Sequence, residues 1–173
     1  MSSPSNPSPC AIAFTDIVGF TEFTAAHGDE AALKLLDLQD QIVHHVLPRE
    51  ARVVKELGDG LMIWFADAVI AIDTCLRLRG RFLEARSPLW VRIGLHWGAP
   101  NRRGADYVGH DVNVAARIVD LAGPGELLVS EAVRDCLGNE HHRVRLDELG
   151  PVVMKGIAEP VGLFRAAFSE DSE

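Results

Sequence analysis

Two aspartates stand where apolar runs end. Asp16 closes "AIAFTD", and Asp59 occupies the Gly58-Asp59-Gly60 turn of "VVKELGDGLMIWF". If the two runs are neighbouring strands, both carboxylates reach one edge of a sheet and offer the oxygen ligands that hard divalent cations prefer. Two carboxylates that share metal ions roughly 3.5–4 Å apart can clamp the attacking and leaving oxygens of a phosphoryl transfer. Taken singly, each aspartate is a cap or a turn residue, so the pair draws its meaning from its neighbours. One neighbour is Lys55, which strand alternation places on the face of Val53 and Leu57. An Asp-Gly hairpin turn explains the glycines but not this lysine. Further on, "GADYVGHDVNVAARI" (residues 104 to 118) carries Asp106 in a loop, then Asn113 and Arg117, which at i and i+4 share one helix face.

These groups need a scaffold, and the apolar spacing supplies one. "AIAFTD" reads as a first strand, and Gly19 permits a tight path into a helix that runs to about Val46 on Ala32, Leu35, Leu36, Val43 and Val46. The hairpin follows. Asp67 can cap a second helix whose apolar face is Ala68, Ala71, Ile72, Cys75 and Leu78. "LWVRIGLHWG" is a fourth strand and "APNRRGA" a loop. A third helix starts near Gly109 with Val112, Ala115, Ala116 and Val119 inward. "ELLVS", a short helix from Ser130, a strand near Val144 and a last strand "VGLFRAAF" complete the chain. The order β-α-β-β-α-β predicts an α+β fold: a ferredoxin-like βαββαβ core with a C-terminal αβ extension, helices packed on a mainly antiparallel sheet.

With 173 residues, 47% of them apolar, the chain suffices for one domain with a sizeable core. The expected division is a disordered tail at 1–10, a domain at 11–168 and a short tail at 169–173. A net charge of −8 argues against nucleic acid held by the overall field. Three scattered cysteines form no framework and fit a reducing, cytoplasmic setting. The most apolar stretch, Leu61 to Ile72, contains Asp67 and is shorter than the ~20 residues a bilayer span needs. The "MSSPSNPSPC" start lacks the features of a signal peptide.

The motifs "FTDIVGFT", "KELGDG", "VRIGLHWG", "DYVGHDVNVAAR" and "MKGIAEPVGLF", in this order, resemble those of the class III nucleotidyl cyclases. The resemblance implies that Asp16 and Asp59, with the Ile17 carbonyl, hold two magnesium or manganese ions. Lys55 and Asp106 match the pair that reads the base. Adenine offers an acceptor at N1 and a donor at N6, suiting an ammonium and a carboxylate, whereas guanine reverses that polarity. ATP is therefore expected over GTP. Asn113 matches the residue that orients the ribose, and Arg117 the one that stabilises charge on the α-phosphate, where a planar, permanently charged fork is suited. The backbone of Gly19, Phe20 and Thr21 matches a cradle for the β- and γ-phosphates. Lys155 resembles a further triphosphate contact, although the family often has a second lysine where Ile157 stands. The resemblance further implies a homodimer whose metal aspartates come from one subunit and whose base-reading and transition-state residues come from the other. No regulatory module is visible.

Arg102 and Arg103 are either solvated loop charges or triphosphate contacts. His44-His45 and His141-His142 diverge as adjacent side chains and read as surface residues, while His96 in "GLHWG" reads as a packed, hydrogen-bonded histidine. Departures from the family pattern are the short Ala99 to Ala105 loop, Trp97 and His110. Two rivals to an adenylate cyclase are a catalytically silent nucleotide-binding module of the same fold, and an enzyme of different outcome, a guanylate cyclase or a palm-type polymerase.

Overall fold

The computed structural model describes residues 6–138 and 142–170. The elements in chain order are β1 (Cys10–Ile17), α1 (Phe20–His27), α2 (Asp29–Val46), β2 (Arg52–Leu57), β3 (Gly60–Phe65), α3 (Ala68–Glu84), β4 (Val91–Gly98), β5 (Asn101–Arg103), β6 (Asp106–Val108), α4 (His110–Leu121), β7 (Leu127–Ser130), α5 (Glu131–Leu137), β8 (Val144–Val152) and β9 (Val161–Phe168). Seven strands form one sheet in the order β2-β3-β1-β4-β7-β9-β8. Every pairing in it is antiparallel except β4 with β7. Strands β1 to β4 with the α1–α2 pair and α3 give the expected βαββαβ ferredoxin-like core, and α4, α5 and β7 to β9 form the extension.

Period-2 alternation divides the central strands between two cores. Ala11, Ala13, Ile63, Phe65, Ile93 and Leu95 face the layer of α2, α3 and α5 and pack with Val43, Ile72, Cys75 and Val133. On the other face Cys10, Ile12, Phe14 and Met62 meet Ala115 and Val119 of α4. The expected apolar face of α4 is only part of its contact. Val114 and Ile118 are also buried, against Met154, Ile157 and Leu163.

Three details differ from the sequence-based expectation. The long first helix is two helices, because Gly28 adopts φ 86° and ψ 171° between them, a conformation that costs a residue without Cβ little. The "APNRRGA" loop belongs to a small hairpin in which Arg102 pairs with Tyr107 and Arg103 with Asp106, so Asp106 begins a strand. Finally, a bulge shifts the β2–β3 register between Val53 and Lys55. Val53 pairs with Ile63, which faces the helical layer, whereas Lys55 pairs with Met62, which faces α4. Lys55 therefore does not share a face with Val53, since one extra residue turns it to the opposite side.

The tail expectations at 1–5 and 171–173, and that for His141, lie outside the described residues; His142 lies within them. Cys10 is buried at the start of β1. Among the described residues no helix is long and apolar enough to cross a membrane.

Candidate active site

Asp16 lies near the end of β1, and Asp59 in the β2–β3 turn is folded back onto that strand. Its Oδ2 accepts the Ile17 N–H at 2.9 Å. The turn is held from behind by Gln39 of α2, whose Nε2 donates to the Asp59 carbonyl at 3.2 Å while its buried Oε1 finds no partner among the described residues. Partial burial, and next the Asp16 carboxylate beside it, push the Asp59 pKa up to about 6. Two acids that crowd each other in this way favour a bound cation, which would relieve both desolvation and repulsion. Two carboxylates and a main-chain carbonyl also suit magnesium, which completes its shell with water and substrate phosphate oxygens. The donor set therefore fits the expected metal.

Asp16 has a partner that the sequence reading missed. Arg92, directly opposite it in the β1–β4 register, donates Nε to Asp16 Oδ2 at 2.9 Å, and its Nη2 lies 2.7 Å from the same oxygen as an ion pair. Both contacts use one oxygen and leave Oδ1 to other ligands. Arg92 Nη1 also reaches the Asp120 carbonyl near the end of α4 at 3.3 Å. An arginine inside the apolar strand "VRIGLHW" was the available clue, because a charge in a central strand requires a partner.

Beyond Asp16, the chain enters α1 through Gly19 at φ 76°, and among the described residues no side chain caps the helix. The first N–H groups of a helix lack partners within it, so Phe20 and Thr21 lie at a start suited to phosphate oxygens.

On the α4 side of the sheet, Lys55 Nζ donates to Asp106 Oδ2 at 2.9 Å. This bond, with a second from the Tyr107 N–H, holds the Asp106 carboxyl below its ordinary range. The small β5–β6 hairpin is fixed there by Arg52. Its Nη1 donates to the Ala105 carbonyl at 3.1 Å, and its guanidinium carbon lies 5.9 Å and 5.4 Å from the ring centres of Trp64 and Tyr107. Those rings are parallel within 7° at 6.3 Å. Arg52 was also missed, because its role depends on a hairpin that the sequence did not reveal.

Asn113 and Arg117 are exposed on α4, and Arg117 lies 3.7 Å from Asp120. Arg102 and Arg103 are exposed on β5, with Arg102 bonded to the Gly104 carbonyl. Lys155 is exposed in the β8–β9 turn. Among the described residues no hydrogen bond or ion pair joins Asp16 or Asp59 to Lys55, Asp106, Asn113, Arg117 or Lys155. Within one chain there are thus separate groups: a carboxylate pair beside a helix start, a lysine–aspartate pair, and an exposed polar stripe on α4.

The ferredoxin-like sheet thus brings two carboxylates together near a strand end, with a helix start beside them. The profile of the adenylate and guanylate cyclase catalytic domain matches residues 3–165, and the chain belongs to that family. It is 30% identical over 156 residues to a pH-sensitive adenylate cyclase of Mycobacterium tuberculosis, covering 89% of this chain and 39% of that protein. It is 30% identical over 122 residues to an adenylate cyclase of Streptomyces griseus, covering 70% of this chain and 31% of that protein. The chain thus spans well under half the length of these relatives. Among solved structures, a Trypanosoma brucei adenylate cyclase in its monomeric state superposes with a TM-score of 0.84 at 23% identity, covering 100% and 97% of the two chains. The guanylyl cyclase Cya2 superposes at 0.76 and 19% identity, covering 99% and 98%. The shared fold thus spans enzymes named for either nucleotide.

Proposed function

We propose that this domain is an adenylate cyclase: as a homodimer it converts ATP to 3′,5′-cyclic AMP and pyrophosphate. The observation that carries the reading is the Asp59 carboxyl, held on the Ile17 N–H beside Asp16 with its pKa pushed up to about 6. Two divalent cations, magnesium or manganese, held by Asp16, Asp59 and the Ile17 carbonyl, would supply Lewis-acid activation of the ribose 3′-hydroxyl and neutralise the leaving pyrophosphate.

The other residues position the substrate. Lys55 and Asp106 hydrogen-bond one another; with adenine bound, each would turn its bond to the base edge, Lys55 donating to N1 and Asp106 accepting from N6. Guanine would set a donor against the ammonium and an acceptor against the carboxylate, leaving buried groups unpaired. Asn113 orients the ribose, and the start of α1 at Gly19, Phe20 and Thr21 receives the β- and γ-phosphates, with Lys155 assisting. The 3′-oxygen attacks the α-phosphorus and loses its proton to solvent water as the bond to pyrophosphate breaks. Arg117 stabilises the negative charge on the α-phosphoryl oxygens as they pass through the transition state. No protein nucleophile is needed, so rate depends on placement.

The separation of the groups within one chain supports the two-subunit reading. Carboxylates from one protomer and the Lys55, Asp106, Asn113 and Arg117 set from its partner make one site, and two such sites form per dimer. Incubation with ATP and manganese tests the reading. Cyclic AMP is expected, at a rate above that of cyclic GMP from GTP. ATP binding without any cyclic product would favour a silent nucleotide-binding module, and faster GTP turnover would favour a guanylate cyclase.

A further inference from the structure

Alternate residues of β4, namely Arg92, Gly94, His96 and Gly98, share the sheet face that carries α4 and build a seat for it. At Gly94 the helix backbone comes so close that a Cβ would overlap the Val119 nitrogen, and at Gly98 a Cβ would overlap the Asp111 carboxyl. Small residues allow the approach but do not fix how far the helix slides or turns. That task falls to polar groups at its first turn. Asp111 Oδ2 accepts the Ala99 N–H at 2.9 Å, and Oδ1 lies 2.9 Å from His96 Nε2. His96 Nδ1 lies 2.7 Å from Ser130 Oγ, where β7 passes into α5.

The chemistry of the string fixes its protons. An ionised Asp111 only accepts, so His96 carries its proton on Nε2 and donates it, leaving Nδ1 to accept from the Ser130 hydroxyl. Burial holds His96 below its ordinary pKa, against the Asp111 charge and with His110 adding to the lowering, so the neutral form fits. For Asp111 burial opposes ionisation, but the His96 and Ala99 hydrogen bonds outweigh it and its pKa is lowered. Serine, histidine and aspartate in contact also raise the question of a nucleophilic triad. Ser130 is 0% exposed and His96 8%, so no substrate reaches the hydroxyl. Ser130 is the N-cap residue of α5, yet its side chain makes no capping bond there.

We propose that Asp111, braced by His96 and Ser130, is a positioning residue that sets the register of α4 and thereby the placement of Asn113 and Arg117. At about 100° per residue, Asn113 and Arg117 stand roughly 200° and 240° around the helix from Asp111. Pinning Asp111 to the sheet directs both away from it, and both are exposed. This inference rests on the cyclase reading for the role of those two residues, while the pin itself does not.

The experiment compares Asp111→Ala, Asp111→Asn and Ser130→Ala with the parent chain, by steady-state cyclisation of manganese-ATP and by backbone amide hydrogen exchange. Asn can still accept from Ala99, and it can donate to Nε2 if the imidazole moves its proton to Nδ1 and donates to Ser130 in turn. The expected pattern is a fall in kcat of roughly 10- to 100-fold for Asp111→Ala with little change in KM, and most of the rate retained by Asp111→Asn. Ser130→Ala should fall in between. Exchange should quicken at Ala99 and the first turn of α4 in Asp111→Ala while β1 and β3 stay protected. Unchanged kcat in Asp111→Ala, or an equal loss in Asp111→Asn, overturns the proposal, as does unchanged exchange at α4. If Asp111→Ala does not fold, the Asn and Ser130 variants decide it by the same criteria. A parent chain that makes no cyclic nucleotide sinks the cyclase reading instead, and the exchange comparison still judges the pin.

Discussion

Lys55 and Asp106 are 51 residues apart in sequence and 2.9 Å apart in space. The pair exists because a bulge turns Lys55 to the α4 face and because Arg52, against Trp64 and Tyr107, holds the β5–β6 hairpin over β2. Neither device is part of the chemistry, yet both decide where the two groups proposed to read the base stand.

Nucleotide choice should follow from this pair. On the proposed reading Lys55→Ala removes the donor to adenine N1, and it leaves Asp106 without its hydrogen-bond partner. The ratio of kcat/KM for ATP to that for GTP should drop by roughly 10- to 100-fold, mainly through ATP. Parallel assays with the two nucleotides measure it.

The Asp59 carboxyl should oppose stability when it is ionised and no cation is bound. Its folded pKa of about 6 exceeds the ordinary 3.8, so the native state holds this proton more tightly than the unfolded chain. The stabilisation it lends is complete below about 3.8 and is lost as pH rises through about 6. Asp59→Asn keeps an oxygen for the Ile17 N–H and removes the charge. In the absence of divalent cations it should be more stable than the parent at pH 7 to 8 by on the order of 1 kcal/mol, the full shift being discounted for partial solvation. The gap should close toward pH 4, and the variant should be inactive. Thermal unfolding across pH, with chelator present, checks the sign.

Gly94→Ala should be among the most damaging small substitutions. The overlapping atoms belong to the backbone of α4, which cannot swing aside as a side chain can. A loss of about 1–3 kcal/mol is expected in denaturant unfolding. At the exposed Gly104 a Cβ would meet nothing, so the cost of Gly104→Ala comes from its φ of 61° alone.

Much of this arrangement was legible in the sequence, for identifiable reasons. Strands β1, β3 and β4 are apolar and bounded by turn residues, and Asp67 caps α3 through the Ile70 N–H as its position predicts. The carboxylate pair was legible because each aspartate closes an apolar run. What escaped depends on distant partners or on local backbone choices. Val53, Val54 and Lys55 give no sign of a bulge, and the β5–β6 hairpin has no alternating apolar pattern. Gly28 sits within a helical period that continues across it. Arg92 was visible as an oddity in a central strand, but only the β1–β4 register places it opposite Asp16. His96 was expected to be a packed and hydrogen-bonded residue, and it is, though both of its partners lie far along the chain.

The central claim is that one active site draws on two copies of this chain, and mutant mixing tests it most directly. Asp59→Ala and Arg117→Ala proteins should each be inactive alone. Mixed in equal amounts, they should regain cyclic AMP formation from manganese-ATP, because a dimer of one of each contains one intact composite site. A mixture that stays inactive while both variants remain folded and form mixed dimers would contradict the account.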